Sequence, residues 1–179
     1  MIQQTHRPAR PLATVVEPHV RPAGPADREL LGELIAQLSP ASAYSRFLTG
    51  VSGPPSGKLL RALLPEAPAG GALLGFVDGE LAGHGLWVRT TDPSVAEIAL
   101  VVADRHQRRG IGTALAAALV DELVAHGVED IEVFSISNNR AVARMVAHAA
   151  PDARRELDGP TATWTFPARR RGGVLSRSA

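Results

Sequence analysis

Apolar and polar positions follow two different periods along this chain, and the switches between them mark its elements. In residues 25–38 the apolar side chains Leu30, Leu31, Leu34, Ile35 and Leu38 recur at helical spacing. Pro25-Ala26-Asp27 stands before them as a helix start. A second helix is predicted over residues 39–47, with Ser39 or Ser42 as N-cap, and a short one over 58–64 ended by Pro65. Residues 16–21, 71–77, 81–89 and 97–103 read as strands, and Asp78-Gly79 is a hairpin signal between two of them. Helical spacing returns over residues 110–126 through Ile111, Leu115, Leu119, Val120 and Leu123, with Gly127 as the stop. A strand over 131–135, a helix over 139–149 and a strand pair, 154–157 and 161–166, complete the pattern. In the last strand Ala162, Trp164 and Phe166 alternate with threonines, which buries one face. The order β-α-α-β-β-β-α-β-α-β-β gives an α/β (α+β) class with a central mixed β-sheet flanked by helices.

Length supports this as one domain: 179 residues suffice for one α/β domain with a substantial core and are few for two. The domain is expected over residues 16–166. Residues 1–15, which hold Arg7-Pro8-Ala9-Arg10-Pro11, are expected to form a disordered arm, and residues 167–179 a disordered basic tail. Hydrophobic residues make up 45% of the chain, yet no run is long enough to cross a bilayer. No charged and then apolar segment opens the chain, so the expectation is a soluble, cytoplasmic protein. The absence of cysteine excludes disulfides, thiolate ligands and a cysteine nucleophile. Six histidines are scattered without metal-ligand spacing, so no metal is expected. The net charge of +1 conceals an asymmetry: Arg169, Arg170, Arg171 and Arg177 follow the last acid, Asp158, which leaves −3 for residues 1–158. The folded body therefore has no nucleic-acid footprint. Nothing in the sequence sets an oligomeric state.

The chemistry concentrates where strand 97–103 turns through Asp104-Arg105-His106 into Gln107-Arg108-Arg109-Gly110-Ile111-Gly112-Thr113. A basic glycine loop that opens a helix describes an anion site. The helix N-terminus offers unpaired N–H groups, and glycines let a phosphate approach the backbone. A P-loop would need a lysine that is not there, and a dinucleotide fingerprint would need a small residue where Leu115 stands. A plain glycine turn with two solvated arginines is the other reading of the same residues.

The spacing Gln-x-x-Gly-x-Gly resembles the coenzyme A pyrophosphate loop of the GNAT superfamily of N-acetyltransferases, and the element order is similar to its fold from about residue 16 to 166. The stretch Ser39-Pro40-Ala41-Ser42-Ala43-Tyr44-Ser45-Arg46-Phe47 and the strand opening Ala96-Glu97-Ile98-Ala99 resemble the acetyltransferase domains of protein lysine acetyltransferases. The resemblance implies splayed parallel strands and transfer of an acetyl group from acetyl-CoA to a primary amine, on a protein lysine or a small molecule, by direct attack in a ternary complex. It places the pantetheine arm along Val101 and Val102, with the Val102 N–H as oxyanion donor. It assigns the pyrophosphate to Gln107, Arg108, Arg109, Gly110, Gly112 and Thr113, and a coenzyme A contact to Asn139. Glu97 stands where the family often has a general base, the alternative being a strand-edge salt bridge. Asn138 or Asn139 can equally be a helix N-cap. Tyr44, Arg46 and Trp87 are candidate acceptor-side residues, and Trp87 is also a candidate core aromatic. The sequence departs from the family at Val146, where a tyrosine general acid is common, and at Ala150-Pro151. A catalytically weak acyl-CoA-binding sensor or interaction module is therefore the alternative function.

Overall fold

The computed structural model describes residues 18–49 and 53–169. Seven strands form one sheet in the order β1-β2-β3-β4-β5-β7-β6. They are β1 (His19–Ala23), β2 (Gly70–Val77), β3 (Glu80–Arg89), β4 (Val95–Val102), β5 (Asp130–Ile136), β6 (Arg154–Asp158) and β7 (Thr161–Pro167). The helices are α1 (Arg28–Ala36), α2 (Pro40–Phe47), α3 (Gly57–Ala62), α4 (Ile111–Ala125) and α5 (Arg140–Ala149). The expected class and order hold, with the short α3 between α2 and β2.

Local chemistry explains most boundaries. Asp78 (φ 52°) and Gly79 (φ 81°) both take the left-handed conformation that a two-residue β2–β3 hairpin needs. Ser39 caps α2, its hydroxyl accepting from the Ser42 N–H at 3.2 Å. The first strand departs from expectation. It runs His19–Ala23, while Val16 and Glu17 lie outside the described residues. Pro22 fits because β1 is an edge strand, where a missing N–H breaks no ladder on the open side. The arm 1–15 is also outside the described residues. At the other end β7 includes Pro167, and the Ala168 N–H donates to the Glu129 carbonyl at 2.7 Å, while residues 170–179 of the expected tail lie outside the described residues.

The core lies on both faces of the sheet. On one face Leu115, Leu119 and Leu123 of α4 and Val146 of α5 pack with Leu73, Trp87, Ile98, Ile131 and Trp164. On the other Leu31, Leu34 and Ile35 of α1 and Leu60 of α3 pack with Leu74, Leu86 and Val101. The period-2 alternation of β3 and β4 sorts their side chains between these clusters.

β4 and β5 are the only parallel neighbours among the described strands. Their pairing runs from Val95↔Asp130 to Ile98↔Val133 and stops, although β4 continues to Val102 and β5 to Ile136. The strands splay, which leaves the upper part of β4 with one unpaired edge. This gap positions the site.

Candidate active site

The open edge of β4 carries specific backbone groups. The Ala103 N–H donates to the Ala82 carbonyl across the β3–β4 ladder at 2.8 Å. Backbone groups alternate sides along a strand, so Val101 shares that paired edge while Val102 turns its N–H and C=O to the gap. The Val102 carbonyl accepts from Gln107 Nε2 at 3.2 Å. Its N–H is left facing the opening, the geometry an oxyanion donor needs. Val101 differs: its backbone belongs to the ladder and its side chain to the core beneath α1 and α3.

At the mouth of the gap α4 begins. Gly110 has φ 85° and makes no side-chain cap, and the first helical bond runs from the Ala114 N–H to the Gly110 carbonyl. The N–H groups of Ile111, Gly112 and Thr113 therefore have no helical acceptor and form a partial positive charge. A Cβ on Gly112 would lie 3.4 Å from Met145 Cε, 3.7 Å from Val102 Cγ2 and 3.9 Å from Leu100 Cδ1. That cradle brings helix N-terminus, β4 edge and α5 together, and its donors suit a pyrophosphate followed by an extended amide-bearing arm.

The loop arginines divide. Arg108, at φ 62°, is exposed and makes no ion pair among the described residues. Arg109 is held by Asp78 of the hairpin at 3.3 Å and by Nδ1 of the buried His106 at 3.2 Å. Gln107 also donates to Ser42 Oγ at 3.1 Å, which ties the loop to α2. Asp104 completes this latch by accepting from the Ser39 N–H at 2.9 Å and from the Ser39 and Ser42 hydroxyls, each at 2.8 Å. Desolvation works against the Asp104 carboxylate, yet these bonds hold its pKa below the ordinary range.

On the α2 side of the sheet stands Glu97, in register with Glu132 of β5. Burial pushes the Glu97 carboxyl up, the Arg46 guanidinium pulls it back, and Glu132 adds to the rise, leaving it above its usual value. Arg46 is pulled down to about 10 by desolvation, against the favourable charge of Glu97, and its Nε is buried without a partner. His84, fully buried below, bonds the Leu63 carbonyl through Nε2 at 2.8 Å. Burial and the nearby Arg46 charge drive its pKa down to about 4, so it is neutral, with Nδ1 unpartnered.

The structure thus brings Val102, Gln107, Gly110, Gly112 and Thr113 to one gap, and sets Glu97 with Arg46 on the α2 side of the sheet, one residue before the β4–β5 pairing ends. Asn139 stands at the start of α5, where its side chain accepts from the Ala141 and Val142 N–H groups at 3.1 and 3.2 Å, leaving only its Nδ2 for a ligand. Tyr44 is half exposed, some 200° around α2 from Arg46. Trp87 is not brought to the acceptor side. It is 1% exposed beneath α4, on the face opposite Glu97, where Nε1 donates to Glu122 Oε2 at 3.4 Å. The space beside Trp87 above Gly83 and Gly85 is filled by helix, since a Cβ there would meet Leu115 at 2.9 Å and Leu119 at 3.0 Å. Sequence reasoning omits Asp104 and Glu132. Serines three apart opposite an acidic turn could have signalled the first, whereas the second needs the β4–β5 register.

The family model described as Acetyltransferase (GNAT) family matches residues 41–148, which include most of α2, the β4–α4 loop and most of α5. Among solved structures, the GNAT domain of S. lividans PAT superposes with a TM-score of 0.75 at 19% identity, covering 88% of this chain and 99% of that one. The ribosomal-protein-S18-alanine N-acetyltransferase from Escherichia coli gives 0.64 at 16% identity, with 89% and 99% covered. The putative acetyltransferase yncA from Salmonella typhimurium, solved with acetyl-CoA, gives 0.63 at 18% identity, with 87% and 96% covered. The neighbours establish the shared fold, and the family match over more than half the chain establishes membership: this protein belongs to the GNAT acetyltransferase family.

Proposed function

We propose that this protein is an acetyl-CoA-dependent N-acetyltransferase that acetylates a primary amine by direct attack in a ternary complex. The observation that carries the reading is the Val102 N–H facing a gap whose mouth is an uncapped helix N-terminus. In this reading the N–H groups of Ile111, Gly112 and Thr113, with Arg108, hold the pyrophosphate of acetyl-CoA, and the amide of Asn139 flanks the pantetheine. Arg109, pinned to Asp78, fixes the loop. The Val102 N–H stabilises negative charge developing on the acetyl oxygen. Glu97 accepts the proton that the ammonium must lose before its nitrogen can attack, and its raised pKa suits that exchange. Arg46 and Tyr44 flank the acceptor, on a protein lysine or a small molecule, and no metal takes part. We place the reaction in the cytoplasm; among the described residues no helix is long and apolar enough to cross a membrane.

A second reading has one observation behind it. Val146, where a tyrosine acid is common in the family, is buried in the α4–α5 cluster, so α5 offers the departing thiolate no proton there. A weak acyl-CoA-binding sensor would have this feature. Thiol release from acetyl-CoA across a panel of amines separates the two. Amine-dependent release supports the transferase, and tight acetyl-CoA binding without release supports the sensor.

A further inference from the structure

Glu132 is the ionisable group near the gap that the proposed chemistry leaves unused. It is the register partner of Glu97 on the adjacent parallel strand, so both side chains project from one face of the sheet. Adjacent strands lie about 4.8 Å apart, and like charges set side by side across them destabilise a sheet. Glu132 contributes to the rise of the Glu97 pKa, and among the described residues it takes part in no hydrogen bond or ion pair. Across β7 its neighbour is Thr165, whose own partner on β6, Arg154, is engaged by Glu156. The Arg46 guanidinium acts on Glu97 from α2, which packs against both β4 and β5. Two carboxylates and one guanidinium leave one negative charge in excess. One ammonium group neutralises it; a zwitterion brings a carboxylate that restores it.

We propose that Glu132 and Glu97 together clasp the acceptor's ammonium group, and that this pair selects simple cationic amines over amino-acid zwitterions. This rests on the reading of Glu97 as the acceptor-side base. Glu97 takes the proton, while Glu132, its register partner, holds the cation in place. The inference is tested by calorimetric titration of the coenzyme A-loaded protein with n-propylamine and with β-alanine, which differ by one carboxylate. Wild type should bind propylamine at least about tenfold more tightly than β-alanine. Glu132→Gln should weaken propylamine about tenfold and narrow that ratio, and Glu132→Asp should restore most of it. In turnover, KM for the amine should rise about tenfold in Glu132→Gln with a smaller fall in kcat. Thermal melting should show Glu132→Gln at least as stable as wild type, because a like-charge contact is relieved. Equal affinity of wild type and Glu132→Gln for propylamine overturns the clasp, as does β-alanine binding as tightly as propylamine in wild type. Binding is read without turnover, so the two readings fail separately. A protein that clasps amines and transfers nothing keeps the clasp and loses the transferase, whereas an active enzyme indifferent to Glu132→Gln loses the clasp alone.

Discussion

At the scale of single residues, the face of the sheet that carries Glu97 concentrates groups driven from their ordinary protonation. Glu97 has a raised pKa, so its competent carboxylate form is lost as pH falls through that raised value. The rate of amine-dependent thiol release should carry this limb in wild type. Glu97→Gln should remove it and lower turnover by roughly 10²–10⁴-fold while acetyl-CoA affinity holds. Superimposable pH profiles would discard Glu97 as the base. His84 makes a different prediction. Its folded pKa of about 4 lies below the 6.5 of the unfolded chain, so its contribution to stability is complete above pH 6.5 and is lost as pH falls towards 4. The shift corresponds to about 3 kcal/mol for this fully buried ring. Denaturant unfolding from pH 7 to 4 should lose that much more in wild type than in His84→Gln, whose amide can still donate to the Leu63 carbonyl. Parallel curves would show that folding does not lower the His84 pKa.

At the scale of elements, the two loop glycines do different work. A Cβ on Gly110 would touch nothing within 4 Å, but its φ of 85° belongs to the left-handed region. Gly110→Val should therefore destabilise the protein by about 1–2 kcal/mol and disturb the helix start. Gly112 has an ordinary backbone and a crowded neighbourhood of Met145, Val102 and Leu100. Gly112→Val should push its methyl groups against these side chains, lowering the melting temperature and weakening acetyl-CoA binding by calorimetry, and unchanged affinity would move the cofactor elsewhere. The loop was legible in the sequence because its information is local: a turn, two glycines and a helix that follows. The hairpin at Asp78-Gly79 and the caps at Ser39 and Asn139 were legible for the same reason. Alternation placed His84 and Trp87 on opposite faces of β3, but only packing against α4 or α1 shows which face adjoins Glu97. Trp87 could be sorted from the acceptor side in no other way, and Glu132 emerges only from long-range register.

At the scale of the whole molecule, the sheet is divided by its one described parallel pair. β1 to β4 form a meander covered by α1 and α3 on one face and α4 on the other, and β5, β7 and β6 form a second antiparallel set beyond the splay. In the proposed reading, cofactor and acceptor approach the gap from opposite faces, so that two substrates meet without competing for one cavity. That arrangement bears on self-modification, since the chain contains a single lysine among 19 basic residues. Lys58 is exposed in the first turn of α3, on the acceptor face with α1. Arginine guanidinium groups stay protonated and offer no free amine. Incubation with acetyl-CoA should therefore place acetyl groups only on Lys58 and the N-terminal amine, read by intact and peptide mass spectrometry. Lys58→Arg should leave the terminal amine alone modified, with the rate towards an added amine unchanged because Lys58 lies outside the catalytic machinery. Acetyl groups on serine or threonine at comparable rates would instead point to hydroxyl chemistry and overturn the choice of an amine as acceptor.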